Sequence, residues 1–231
     1  MNVTKFSLVL LVIVSNCVFA QMKLTGMKGD VAIRHGVSEQ WVPLAPGDVL
    51  KPDDSIRLGK RASATIHTDG SRKLQIPEMT VLDLSDLRML TQEELLLKLT
   101  MERVREIPDK GRENDFTIPR TTTIHGENKD VVKTKVVPAN ASAGMMQLNG
   151  VKVLYSNGFY ATSVLKAKEI FRLIPETAKM IDVRLTVASA LEKMNVNGEA
   201  LSEYTSLEKE HLSAPQRSLI ETKIAQLKKK G

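Results

Sequence analysis

The amino-acid sequence predicts an α+β chain with its two kinds of structure in separate domains: an N-terminal all-β module, then C-terminal α-helical hairpin repeats. Three observations predict it. Residues 29–84 alternate apolar and polar side chains between closely spaced turn signals, the mark of half-buried strands. After about residue 143 those signals thin out and apolar residues recur three or four apart, the spacing of amphipathic helices. The helical part also repeats, with Asn157-Gly158 matched by Asn197-Gly198 and Pro175 by Pro215, both at an offset of 40.

The first twenty residues stand apart from both domains. In "MNVTKFSLVLLVIVSNCVFA", Lys5 supplies a positive start, Phe6 to Val14 an apolar run, and Val18-Phe19-Ala20 a small-residue cleavage pattern. This is the pattern of a secretory signal peptide, and the run is shorter than the roughly 20 apolar residues that a membrane span needs. The predicted division is 1–20 signal peptide, 21–135 all-β domain, and 136–231 helical hairpins with a closing helix. The expected location is periplasmic or secreted. Asn16 is a poor residue to precede a lipidated cysteine, so lipoprotein anchoring at Cys17 is not expected. Cys17 is the only cysteine of the 231 residues. Cleavage after Ala20 leaves none, which excludes disulfides, thiolate catalysis and Cys-based zinc sites. It also leaves 32 basic against 27 acidic side chains, a net +5. That mild excess suits at most peripheral contact with anionic lipid or wall polymer, and an exported chain predicts no nucleic-acid partner. With 42% apolar but only 4% aromatic residues, the core is expected to be aliphatic.

Within the β domain, Gly29-Asp30, His35-Gly36, Pro46-Gly47-Asp48, Lys51-Pro52-Asp53-Asp54, Leu58-Gly59 and Asp69-Gly70 mark turns. Gly supplies positive φ, Pro presets φ, and Asp bonds its own turn backbone. Between them Val31 with Ile33, Val42 with Leu44, Ala64 with Ile66, Leu74 with Ile76, and Leu82 with Leu84 are each expected on one face. Asp69-Gly70 is the clearest hairpin signal. Asp48, Asp53 and Asp54 raise the question of a site. "DVLKPDDS" lacks the alternate acids, glycine and distal glutamate of a calcium loop. Each acid stands where a turn wants one, so turn chemistry is preferred over a catalytic carboxylate pair. Trp41, a lone aromatic in an apolar strand, is expected in the core, with stacking on a sugar as the alternative.

The segment from Gly29 to Leu84 resembles a FecR domain. The features that carry the resemblance are Gly29-Asp30-Val31, the Trp-x-x-Leu-x-x-Gly-Asp-x-Leu stretch from Trp41 to Leu50, the corner from Asp54 to Gly59, and Asp69-Gly70-Ser71. "FTIPRTTTIHGE" at 116–127 is similar to the family's later strand, although His125-Gly126-Glu127 stands where members often carry Arg-Gly-Thr. The resemblance implies a periplasmic all-β module, best known from regulators that relay an outer-membrane signal to a cytoplasmic sigma factor. Here a signal peptide stands in place of their cytoplasmic segment and membrane span, so no direct sigma-factor contact is expected.

Residues 91–107 carry two signals. Thr91 with Glu94 is a capping box, whereas Leu95, Leu97, Leu99 and Met101 alternate as in a strand. A turn of helix followed by a strand is expected. "PDKGREND" at 108–115 reads as a polar loop, and 126–143 as the linker.

In the helical half the offset of 40 also pairs Leu148 with Ala188, Gly150 with Ala190, Val151 with Leu191, Ala161 with Leu201, Val164 with Tyr204 and Ala167 with Leu207. A single hairpin cannot bury its apolar stripe alone, so stacked copies are expected. Leu219, Ile220, Ile224 and Leu227 give the last helix one apolar side, and Pro215 suits its first turn. "ASALEKMNVNGEALSEYTSL" at 188–207 resembles tetratricopeptide-type repeats, which implies a protein-contact surface on the first helix of each pair. Lys152, Tyr155, Arg184 and Lys193 are the candidate protein-binding residues, each also explicable as ordinary helix surface.

His35, His67, His125 and His211 lack metal-ligand spacing, and neither a G-x-S-x-G elbow nor a glycine-rich phosphate loop occurs. His125 beside Glu127 reads as a local hydrogen bond. The sequence therefore assigns no catalytic, cofactor-binding or metal-ligating residue. It predicts a non-enzymatic envelope protein that binds a protein partner, or alternatively a peptidoglycan or polysaccharide binder. An enzyme is left only as a third class.

Overall fold

Tight corners and short alternating runs shape the N-terminal half. The computed structural model describes residues 22–68, 72–106 and 141–230. The signal-peptide segment, the Asp69-Gly70 turn, the 108–115 loop, the 116–127 strand with His125 and Glu127, and nearly all of the 126–143 linker lie outside the described residues. Eight strands follow: β1 (Met22–Lys28), β2 (Val31–Arg34), β3 (Val42–Pro43), β4 (Val49–Leu50), β5 (Ser55–Leu58), β6 (Ser63–Thr68), β7 (Arg72–Ile76) and β8 (Thr80–Asp83). They form two four-stranded antiparallel sheets, ordered β4-β1-β6-β7 and β3-β2-β5-β8. Period-two alternation turns Leu24, Ile66, Leu74 and Ile76 of one sheet and Val31, Ile33, Ile56, Leu58 and Leu82 of the other into one shared core.

Two side chains depart from the sequence reading. Val42 is 40% exposed while Leu44 is buried. Strand β3 ends at Pro43, so Leu44 turns inward with its N–H on the carbonyl of Val31. Trp41 is half-buried and outside the core. Arg34 and Arg57 project from the outer face of the β2–β5 pair, and their guanidinium carbons lie 5.1 and 4.8 Å from the Trp41 ring centroid. Cation–π attraction accounts for the position of the indole.

Residues 91–107 are not part strand. Helix α1 (Gln92–Glu106) opens on a complete capping box: the Thr91 N–H donates to Glu94 Oε2 at 2.8 Å, and the Glu94 N–H donates to Thr91 Oγ1 at 3.2 Å. Leu95 and Leu99, one turn apart, are buried, while Leu97 and Met101 are 61% and 52% exposed. The apparent alternation is two helical stripes, one inward and one outward.

Five further helices follow among the described residues: α2 (Ala141–Ser156), α3 (Tyr160–Leu173), α4 (Ile181–Lys193), α5 (Asn197–Leu207) and α6 (Ala214–Lys228). Each packs on the next, α2 also meets α4, and α1 lies on α3. Helix α6 starts with a Ser213–Gln216 capping box and Pro215 in its first turn. It buries Ile220, Ile224 and Leu227 but leaves Leu219 47% exposed, so the apolar side is narrower than expected.

Two helix corners close in the same way, at an offset other than the 40 of the sequence reading. At the end of α2 the Phe159 N–H reaches the Leu154 carbonyl and the Gly158 N–H reaches that of Tyr155. At the end of α4, Val196 bonds Leu191 and Asn195 bonds Glu192 in the same pattern, 37 residues on. Both are Schellman closures. Gly158 (φ 84°) and Asn195 (φ 57°) occupy the left-handed position, which Asn tolerates next best after Gly. Asn197-Gly198, the apparent match to Asn157-Gly158, instead opens α5. At the offset of 37, buried Val151, Val153, Leu154, Phe159, Ala167 and Ile170 fall on buried Ala188, Ala190, Leu191, Val196, Tyr204 and Leu207.

The sequence reading has two separate domains; in the structure their cores meet at α2. Strands β7 and β8 are the last in their sheets, and α2 packs against both. Leu148 and Val151 belong to the helical core, whereas Val153, Leu154 and the following Phe159 belong to the sandwich core. The approach is backbone to backbone: a Cβ on Gly150 would lie 2.2 Å from the Val81 carbonyl oxygen. Asn149 Nδ2 donates to the Met79 carbonyl at 2.7 Å beside it. Gly150→Ala must push α2 off β8 and is expected to lower unfolding free energy by about 3 kcal/mol. Gly198→Ala, where nothing lies within 4 Å, is expected to be neutral or to stabilise by about 0.5–1 kcal/mol. Urea unfolding of both variants checks this, and equal shifts would refute the close-approach account.

Candidate functional site

Asp48 and Asp54 each bond the backbone of their own turn. Asp48 Oδ2 accepts the Ala45 N–H and Asp54 Oδ2 accepts the Lys51 N–H, both at 2.8 Å. Asp54 is 1% exposed, and its other oxygen faces His35 Nδ1 at 2.8 Å. Each carboxylate bonds back to the N–H three residues earlier, across a turn that the main chain also closes from the Asp48 and Asp54 N–H groups to the Ala45 and Lys51 carbonyls. Among the described residues no group of three or more His, Cys, Asp or Glu side chains is placed to hold a metal.

The four candidate protein-binding residues do not form one surface. Lys152 Nζ donates to Asp182 Oδ2 at 2.6 Å, and the Tyr155 hydroxyl lies 2.6 Å from Ser189 Oγ. Both contacts run from α2 to α4 and are used in stacking the two first helices. Lys193 is exposed at the end of α4. Arg184 lines a groove between α3 and α5: its Nη1 donates to Glu210 at 2.9 Å and its Nη2 to Ser206 at 2.7 Å.

That groove, about 700 Å³, lies on the side of the second helices. Helix α3 contributes Lys168, Phe171 and Arg172; α1 contributes Arg105; α5 contributes Glu203 and Ser206; the 3₁₀ turn Pro175–Lys179 closes one end. Glu102 of α1 accepts from both Arg105 and Arg172, the latter at 3.1 Å, and Lys168 pairs with Glu203. Arg103 pairs with Glu199 at the start of α5, so α1 bridges α3 and α5. Sequence reasoning looked to the first helices and missed Lys168 and Arg172. Their i,i+4 spacing, which puts both on one face of α3 and off the face of Lys166, is the signal that could have found them. A larger cleft of about 920 Å³ lies between β6–β7 and α2, where Asn149 bonds the Met79 carbonyl and Lys152 pairs with Asp182.

A second charged cluster sits where the sheets meet α3. Arg34 Nη2 donates to Ser55 Oγ at 3.0 Å, and Ser55 Oγ donates to Asp83 Oδ1 at 2.6 Å. Asp83 Oδ2 takes the Lys166 ammonium at 2.7 Å, which Glu169 shares at 3.1 Å and Asp86 at 4.0 Å. Burial alone would raise Asp83, but the charge and hydrogen bond of Lys166, then the Ser55 hydroxyl, hold it below the usual carboxylate range. Burial opposes the charge on Lys166 too, yet Asp83 and Asp86 keep it above the usual lysine range. Burial wins at Asp86, with Asp83 and Glu169 adding repulsion against Lys166, and its carboxyl is pushed up to about 6. Deeper in the helical core, burial and the hydrogen bond to Glu192 at 2.6 Å raise the Tyr204 phenol.

No protein-family model matches the chain, and no curated protein or solved structure matches it either. Among the described residues no helix is long and apolar enough to cross a membrane.

The Asp86 shift has a definite sign. Between its ordinary value of 3.8 and about 6 the folded chain holds a proton that the unfolded chain releases. Its stabilising contribution is therefore full below pH 3.8 and is lost as pH rises through about 6. Asp83 acts oppositely, in a window below its ordinary value. Asp86→Asn is expected to raise unfolding free energy by about 1–2 kcal/mol at neutral pH, with little change near the ordinary carboxylate value. Denaturation curves across that pH range check it, and a variant no more stable at neutral pH would contradict the assignment.

Proposed function

We propose that this chain is an exported, non-enzymatic cell-envelope protein whose helical half docks a protein partner, in periplasmic signalling or assembly. The series of turn motifs in the sequence of residues 29–84 supports a FecR-like module, and the stacked hairpins with Schellman closures support tetratricopeptide-like repeats in the helical half. The observation that carries the reading is the groove framed by α1, α3 and α5, where cationic side chains are held in place by pairs between helices. Helices fixed on a sandwich offer a binding surface that needs little reordering on contact.

Trp41 favours the peptidoglycan or polysaccharide reading as the second choice. The half-buried indole lies against Arg34 and Arg57 on an outer sheet face, an arrangement of ring surface and hydrogen-bond donors that suits an acidic sugar.

A photo-cross-linking residue in place of Ser206, in the groove, is expected to give adducts of defined mass with envelope proteins. The same residue in place of Glu221, exposed on α6, is expected to give none. Recovery of the full-length, unprocessed chain in cytosol would overturn the export reading. Depletion of the protein by purified peptidoglycan, abolished in Trp41→Ala, would replace the first reading with the second.

A further inference from the structure

The groove between α1, α3 and α5 carries more cations than its own acids neutralise. Arg105, Lys168, Arg172, Lys179 and Arg184 converge on it, whereas Glu203 and Glu210 stand on its wall and Glu102 beneath it. Lys179, exposed at the closing 3₁₀ turn, makes no salt bridge among the described residues. Part of the lining is uncharged: Phe171 of α3 and Pro175 and Ala178 of the closing turn supply apolar surface among the cations.

We propose that this groove binds an acidic segment of a partner protein, with carboxylates spaced around an apolar side chain that seats on Phe171 and Ala178. The inference rests on the protein-docking reading and names the chemistry of the partner. Planar guanidinium groups match carboxylates with paired, directional hydrogen bonds. Arg184, its side chain only 12% exposed, is already oriented by Glu210 and Ser206. Arg172 is likewise oriented by Glu102, so little side-chain freedom is lost on binding. The same acids argue against a continuous polyanion. A phosphate-rich polymer would run past Glu203 and Glu210 and be repelled at each, and it has no use for the apolar surface. A peptide alternating acidic and apolar residues fits both features.

The test is fluorescence anisotropy with the intact chain and a short fluorescein-labelled peptide in which Asp and Glu alternate with Leu and Phe. Saturable binding is expected, weakening with added salt because the contacts are partly exposed. Lys179→Glu is expected to weaken it about tenfold or more. Lys209→Glu makes the same charge change at an exposed site outside the groove and is expected to leave binding within about twofold. Circular dichroism melting confirms that both variants fold. No saturable binding, equal binding of a peptide with Lys in place of the acids, or equal weakening by the two variants would each overturn the proposal. Binding to phosphatidylglycerol vesicles without binding to the peptide would overturn it in favour of a membrane ligand. Cross-linking of the groove to an envelope protein, with the acidic peptide ignored, would leave the docking reading standing and defeat this one.

Discussion

Because residue 150 has no side chain, the backbone of α2 lies directly on β8, where a Cβ would fall 2.2 Å from the Val81 carbonyl oxygen. Much else follows from that approach. It lets Asn149 satisfy the carbonyl of Met79, and it sets Val153, Leu154 and Phe159 among the inward side chains of both sheets. Burying three such side chains contributes about 1.5–3 kcal/mol each. The sandwich therefore completes its core with residues from beyond the linker. Helix α3, tied to α2 by a short Schellman turn, is placed in the same stroke, and with it part of the lining of the basic groove.

The charges at this junction act differently from the apolar contacts. Lys166 is shared among Asp83, Asp86 and Glu169, all partly withdrawn from water. The desolvation of such a cluster offsets much of its Coulombic attraction, as the raised Asp86 carboxyl shows. Its effect is directional. Asp83 ends β8, and its bond to Lys166 ties that strand to α3, the helix from which Lys168 reaches Glu203 of α5 and Arg172 reaches Glu102 of α1. Orientation through the ion cluster and adhesion through the apolar contacts are thus separate contributions from neighbouring residues.

The strands were legible because period two leaves little choice: Val31 with Ile33, Ala64 with Ile66 and Leu74 with Ile76 are buried as their spacing implies. Trp41 was not, because Arg34 and Arg57 come beneath it only through the register of β2 on β5. Leu95 to Met101 misled because two helical stripes side by side mimic alternation. The two like helix corners lie 37 residues apart, three short of the offset of 40 that the sequence suggests. A left-handed cap accepts Asn in one copy and Gly in the other, so the conspicuous Asn-Gly pairs are not equivalent. Of the proposed contact residues only Arg184 reaches the groove. The groove joins α1 to α3 and α5 across a long stretch of chain, and no local pattern encodes that juxtaposition.

The Schellman closures also give the helical array a direction of growth. Each corner is held by main-chain bonds and one buried aliphatic or aromatic side chain, so it can be copied with few demands on the surrounding sequence. The α2 end is welded to a strand and tolerates no neighbour. The α6 end, by contrast, is sealed by one helix with three buried residues. A hairpin grafted there would displace only the seat of Ile220, Ile224 and Leu227 and leave the sandwich core untouched.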